Sequence, residues 1–380
     1  MDRKFLKYIS FGLLLLLMLV LAVATIVEKL QGTEKAVELI YGAWWFVVLW
    51  GVAALAMLAC IIVQKLYLKL PSFLLHLSFV IILLGGFVTY MWGERGMMHM
   101  RQNDIHNYFV SEDGTRRVQM PFNVKMLYFD IVYHDGTKHA ADYRSFVMVD
   151  EQIHQISMNK IFKRSGYRIY QMDYDSDEMG ATFMVSHDPW GVGITYSGYL
   201  LLGIVMLWLL FLRIGWKGVI YTFVPTVLVW VYISQINPMT PILRTPMLAT
   251  HVSVIMVAYA LLLFVAITGI VGLCSKKQSE RFYALNSKLL YPALFLLTAG
   301  IFIGAVWANI SWGRYWGWDA KETWALITML LYSFPMHSKN LPFFQNQKNF
   351  HIFCSLAFLT VAMTFFGVTY LLGGIHAYVN

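Results

Sequence analysis

Charge is scarce in this chain. Asp, Glu, Lys and Arg make up 13% of the residues, about half the share of an average soluble domain. That excludes an ordinary soluble globular protein. Hydrophobic residues make up 58% and the mean hydropathy is +0.59, so the chain reads as an integral membrane protein with one inserted polar segment. Cysteine is scarcer still. Cys60, Cys274 and Cys354 lie far apart, in or beside apolar runs. None forms a C-x-x-C pair, so no redox motif, zinc site or disulfide is expected. The formal net charge is +8. Most of the clustered Lys and Arg flank apolar runs, which marks topology rather than nucleic-acid binding.

Long apolar runs are abundant. Arg3, Lys4 and Lys7 precede the first, Ile9–Val27. Ala22-Val23-Ala24 has the form of a signal-peptide cleavage site, but the run is about long enough to span, which favours an uncleaved anchor. Eight further runs follow: Tyr41–Val63, Ser72–Trp92, Gly193–Leu212, Gly218–Ser234, Thr250–Leu273, Leu289–Asn309, Thr323–Met336 and Phe350–Leu372. The expected fold is therefore an α-helical polytopic membrane protein of about nine spans with an inserted β-rich extracytoplasmic domain. The domain lies between the third and fourth runs. There Asn123–Tyr133 followed by His134-Asp135-Gly136 predicts a strand entering a hairpin turn, and Arg168–Met172 and Thr182–Ser186 predict further strands. The basic residues test the count. Lys65 and Lys69; Arg213 and Lys217; Lys276, Lys277, Arg281 and Lys288; and Lys339 and Lys348 all fall in alternate loops. Those loops are expected inside, as is the N-terminus; the β domain, the loop after Leu289–Asn309 and Asn380 are expected outside. The predicted divisions are 1–92, 93–190, 191–215 and 216–380.

One stretch organises the rest. Trp307–Trp324 holds five of the thirteen tryptophans in eighteen residues. Tryptophan is enriched at bilayer interfaces, so an aromatic belt is one reading. A platform for a flat aromatic ligand is the other, since Gly313 and Gly317 would let several rings share one surface. Asp319 and Glu322 stand in the N-cap and N3 relation of a capping box before the run Thr323–Phe334.

The segment Trp-Gly-x-x-Trp-Gly-Trp-Asp-x-Lys-Glu-Thr-Trp-Ala-Leu-Ile-Thr resembles the tryptophan-rich "WWD" signature of haem-handling proteins. Its Lys-Glu-Thr-Trp ending is similar to the CcsA (ResC) branch of cytochrome c biogenesis system II. The family usually has Pro where this chain has Ala320, a first-turn position where Ala substitutes well. A β domain after three spans resembles the CcsB (ResB) partner by layout. The chain thus resembles a CcsB-type half, 1–215, joined to a compact CcsA-type half, 216–380.

Histidine completes the pattern. Six of the eleven lie in the polar domain: His99, His106, His134, His139, His154 and His187. The other five sit in or beside apolar runs, where ionisable groups are costly and usually functional. His76 lies roughly 9 Å into the third run from the inside end, at 1.5 Å per residue. His337 lies at a similar depth on the same side, and His351 is its rival. Each reads either as a helix histidine bonded to a carbonyl or as an axial ligand of haem iron. The resemblance favours His337 and matches His76 to the histidine of the CcsB half. His251 and His376, at outside ends, match the two external histidines of the CcsA pattern.

The resemblance implies a haem-transporting cytochrome c synthase of the bacterial cytoplasmic membrane. Haem b would be bound by His76 and His337, then by His251 and His376, with Trp312, Trp316, Trp318, Trp324 and Asp319 around it. Arg244 and Arg314 are candidates for the propionates; as solvated loop charges they need no such role. The chain contains no C-x-x-C-H, so its own haem is expected to be non-covalent. Implied partners are apocytochrome c, membrane lipid and a thioredoxin-like reductant of apocytochrome thiols. A dihaem cytochrome exchanging electrons with quinone is the alternative of a different class, but its histidines are usually paired on two helices. A haem exporter or chaperone without ligation activity is a third.

Overall fold

The computed structural model describes residues 3–236, 243 and 245–372. Among them, seven helices are long and apolar enough to cross a membrane. In chain order the helices are α1 (Arg3–Gln31), α2 (Thr33–Ala36), α3 (Trp44–Val63), α4 (Leu70–Trp92), α5 (Gly191–Ser234), α6 (Pro246–Cys274), α7 (Lys276–Trp312), α8 (Ala320–Ser333) and α9 (Gln347–Ala362). A π-helical segment, Met363–Leu372, prolongs α9.

Seven is fewer than the nine runs expected, for two local reasons. The fourth and fifth runs follow one another within α5, broken at Gly215 (φ 67°, ψ 177°). That conformation is essentially confined to glycine. Contacts along α7 show what it does. Tyr199 packs on Phe302, Arg213 lies over Tyr291, and Phe223 meets Phe295. The first half of α5 descends α7 and the second climbs back, so Gly215 marks a reversal. The eighth run is only 14 residues of α-helix, finished by the 3-10 turn Phe334–His337 around Pro335. It is too short to span unaided.

Between α4 and α5 stand eight antiparallel strands: β1 (Glu94–Arg101), β2 (Ile105–Ser111), β3 (Arg117–Tyr133), β4 (Ala140–Val149), β5 (Gln152–Ser157), β6 (Phe162–Arg164), β7 (Tyr167–Tyr174) and β8 (Gly180–His187). The spatial order is β5-β4-β3-β2-β1-β8-β7-β6. The hairpin expected at His134–Gly136 joins β3 to β4, and the other two expected strands are β7 and β8. Alternating burial along β3 puts Met120, Phe122, Val124 and Met126 into the core, as a sheet with one covered face requires. The sheet curls until Ser145 Oγ on β4 donates to Gln171 Oε1 on β7 at 2.5 Å.

The domain is tied down firmly. β1 and β8, which carry the two connections to the membrane part, pair without a break from Glu94↔His187 to Arg101↔Gly180. They run directly into α4 and α5. These helices touch closely, for a Cβ at Gly85 would lie 2.6 Å from the Thr195 backbone nitrogen. Small residues permit such approach where apolar driving force between helices is absent.

Candidate functional site

The two histidines expected on the inner side meet. His76 on α4 and His337 beyond α8 have ring centroids 6.0 Å apart at 80°, though 261 positions separate them in sequence. Each is oriented the same way. His76 Nδ1 is 2.7 Å from the Ser72 carbonyl and His337 Nδ1 is 3.0 Å from that of Ser333. A carbonyl only accepts, so Nδ1 carries the proton and donates, which leaves the Nε2 lone pair of each ring available. No hydrogen bond within the described residues engages either Nε2. The spacing can be tested against haem. Two imidazoles on one metal, with metal–nitrogen bonds of about 2.0 Å, have ring centres roughly 6 Å apart. The observed separation fits. Phe11 of α1 stands edge-on to His337 at 5.4 Å.

His351 is elsewhere. It is fully buried on α9, its Nε2 3.0 Å from the Ser279 carbonyl and its Nδ1 without a partner. It packs against Gly272 of α6 and makes no contact with His76.

His251, expected on the outer side, lies in the second turn of α6, with Nδ1 2.7 Å from the Gly300 carbonyl on α7. A Cβ at Gly304 would fall 2.6 Å from the same ring, so the bare glycine makes its seat. His376 and Arg244 lie outside the described residues.

The tryptophan loop is more folded in on itself than an open platform would be. Its rings do not share one surface: Trp316 meets Trp318 at 81°, and Trp307 meets Trp312 at 86°. The glycine argument holds at one point. Gly313 ends α7 at φ 79°, and a Cβ there would lie 2.9 Å from the Tyr170 ring. Trp318 takes the left-handed conformation itself, φ 57°. One face of Trp318 is covered by Tyr41, stacked at 5.3 Å and 11°, while Phe46 stands edge-on and Trp50 lies tilted at 6.2 Å. Trp324 Nε1 donates to Thr25 Oγ1 on α1 at 3.2 Å. The indole nitrogens of Trp50, Trp307 and Trp316 are buried without a partner, a state that usually signals an absent acceptor.

Asp319 caps α8 as expected, its Oδ1 accepting from Lys321 N at 2.7 Å and Glu322 N at 2.9 Å. Glu322 Oε2 accepts from Gly317 N at 2.7 Å and so braces the loop. Tyr41, Phe46, Trp50 and Thr25 were not singled out by sequence. The aromatic cluster Trp44, Trp45, Phe46 and Trp50 at the start of the second run was the available signal.

The fold and the site define a polytopic membrane protein in which a sheet domain is joined to a helical part that carries histidines toward both ends of its helices. Comparison with known proteins is consistent with this. The sequence model of the ResB-like family matches residues 64–195, and that described as Cytochrome C assembly protein matches 190–376. The two matches together run from residue 64 to 376, a ResB-like part followed by a cytochrome c assembly part, which is consistent with a cytochrome c biogenesis protein of the CcsB–CcsA type. It is similar to the protein NrfI of Wolinella succinogenes, with 35% identity over 162 residues, 39% of this chain and 18% of the relative. It is similar to the cytochrome c biogenesis protein CcsA of Chlamydomonas reinhardtii, with 34% identity over 156 residues, 38% of this chain and 44% of the relative. The CcsA of Synechococcus sp. WH7803 is 32% identical over 191 residues, 38% and 59% of the two chains. The chain thus spans between about a fifth and three fifths of these relatives' lengths.

Proposed function

We propose that this chain handles haem in cytochrome c maturation, carrying it across the membrane and joining it to an apocytochrome c. The observation that carries the reading is the facing pair His76 and His337, each tied at Nδ1 to its own helix and spaced as two ligands of one iron would be. Haem b is the substrate. It is first held at the inner pair, then taken up by His251 and His376 beside Trp312, Trp316, Trp318 and Trp324. The two family matches support a haem-handling role in cytochrome c maturation.

At the outer site the vinyl groups meet the thiols of a C-x-x-C-H segment of the apocytochrome. Each sulfur forms a bond to one vinyl carbon and the thiol hydrogen passes to the other, so addition is redox-neutral and needs no side-chain nucleophile. The protein contributes position and axial ligands. Asp319 and Glu322 serve by holding the loop that carries Trp316 and Trp318. The sheet domain lies on the face where an unfolded apocytochrome would arrive, and is proposed to hold it.

The test is expression with an apocytochrome in a host that lacks its own assembly system. Covalent haem on the apocytochrome, with acid acetone extracting all haem from the chain itself, is the expected result. Haem carried by the chain with no thioether product would reduce it to an exporter or chaperone. A purified chain with no haem spectrum would remove the reading altogether.

A further inference from the structure

Where the ResB-like part meets the tryptophan loop there is a small polar cavity of about 30 Å³. Three arginines line it: Arg95 from β1, Arg168 from β7 and Arg314 from the loop. A site for one water needs only about 10–15 Å³, so the space admits a group somewhat larger than one water.

The charges around it do not cancel. Among the described residues none of the three arginines forms an ion pair; the six ion pairs lie elsewhere. Two carboxylates line the cavity, Glu94 and Asp188. Asp188 is already engaged, one oxygen accepting from Thr89 Oγ1 at 2.6 Å and the other from Gly191 N at 2.7 Å. Arg168 gives one N–H to Asn309 Oδ1 at 3.1 Å. Burial lowers the pKa of Arg95; Glu112 works against that shift and the nearby Arg314 adds to it. Three arginines against two carboxylates leave one positive charge in excess on the cavity wall. A carboxylate matches a guanidinium fork in geometry as well as in charge.

Location says which carboxylate. A Cβ at Gly317 would lie 3.1 Å from Arg314 Nε, so the Arg314 side chain lies back against the peptide between Trp316 and Trp318. The cavity and the rings are neighbours. Tyr170 Oη donates to the Asn309 carbonyl at 3.1 Å, and Tyr315 Oη to Thr89 Oγ1 at 2.9 Å, which fixes β7 and α4 against the loop around the cavity.

We propose that this cavity is an anion subsite for a propionate carboxylate of the haem held at the tryptophan loop, with Arg95 and Arg168 supplied by the ResB-like part and Arg314 by the loop. The proposal rests on the loop being the outer haem site. It makes the sheet domain part of the haem site itself, in addition to any hold on the apocytochrome.

The test uses detergent-purified full chain carrying His76→Ala and His337→Ala, so that added haem reports the outer site. It is titrated with haem and with haem dimethyl ester, whose carboxylates are blocked, following the Soret band. Arg95→Gln is expected to weaken haem binding about tenfold, the worth of one charged hydrogen bond, and to leave the ester unchanged. Arg95→Lys should lose less. Equal weakening of both ligands, or of neither, overturns the proposal. No haem binding by the histidine double variant overturns the reading of the loop instead. Should Arg95→Gln fail to fold, Arg314→Gln must show the same split between haem and ester.

Discussion

The inner and outer histidines are held by different means. His76 and His337 each bond a carbonyl one turn back on their own segment, Ser72 and Ser333. Their orientation is therefore a local property, formed as soon as the helix forms. His251 bonds the carbonyl of Gly300 on another helix and rests on Gly304. Its orientation exists only while α6 and α7 are packed. Each of these two imidazoles keeps its own orientation whatever the rest of the bundle does, while their meeting depends on α4 packing against the segment after α8. The His251 ring, held by a packing contact, responds to whatever moves α7, which ends in the tryptophan loop. That difference suits a site that holds against one that must hand over.

The largest expected effect comes from removing an inner ligand. His76→Ala or His337→Ala should lower the haem that co-purifies at least ~10-fold and abolish thioether product, measured by pyridine haemochrome and haem-stained gels. Full haem and full product in both variants would end the relay. His251→Ala should act differently, keeping the inner haem and losing the product. Added imidazole, small enough to enter the gap, should return part of that product. If imidazole instead restores His76→Ala more readily than His251→Ala, the assignment of inner and outer sites is reversed.

A subtler variant sharpens the comparison without touching a ligand. Gly304→Val places carbon where the His251 ring sits, and overpacking of that kind costs about 1–3 kcal/mol. Product should fall roughly 10-fold for ~1.4 kcal/mol while the inner haem spectrum is unchanged. An unaltered rate would mean that the seat of His251 does not matter.

The smallest effect is at the junction of sheet and loop. Burial pushes the Tyr170 phenol up to about 12. The raised value means the protonated donor is favoured in the folded state. The stabilisation is full below the ordinary value near 10 and is lost as pH rises from there to about 12. Thermal melts of Tyr170→Phe should lie below wild type at pH 8, and the gap should close above pH 11. A gap independent of pH would assign the loss to packing rather than to the bond with Asn309.

Sequence revealed the chemistry better than the assembly. Asp319 as a cap, the hairpin after Tyr133 and the candidacy of His76 and His337 all follow from local pattern. His337 could be separated from His351 only by resemblance; in three dimensions the two differ plainly, one against His76 and the other buried between α6 and α9. The stacking of Trp318 on Tyr41 joins positions on opposite sides of the sheet domain, and no periodicity encodes that. The reversal at Gly215 was visible as a pair of apolar runs on either side of it. Arg95 and Arg168 read as ordinary charges in a polar domain, because nothing in a strand's alternation says which cavity its end will border.

One feature of the fold has a mechanical meaning. The sheet is joined to the membrane through β1 and β8, which are hydrogen-bonded along their whole length and continue into α4 and α5, themselves in backbone contact at Gly85. A push on the sheet by a docking polypeptide has no slack linker in which to dissipate. It arrives as torque on a two-helix shaft, and that shaft carries His76 near its far end.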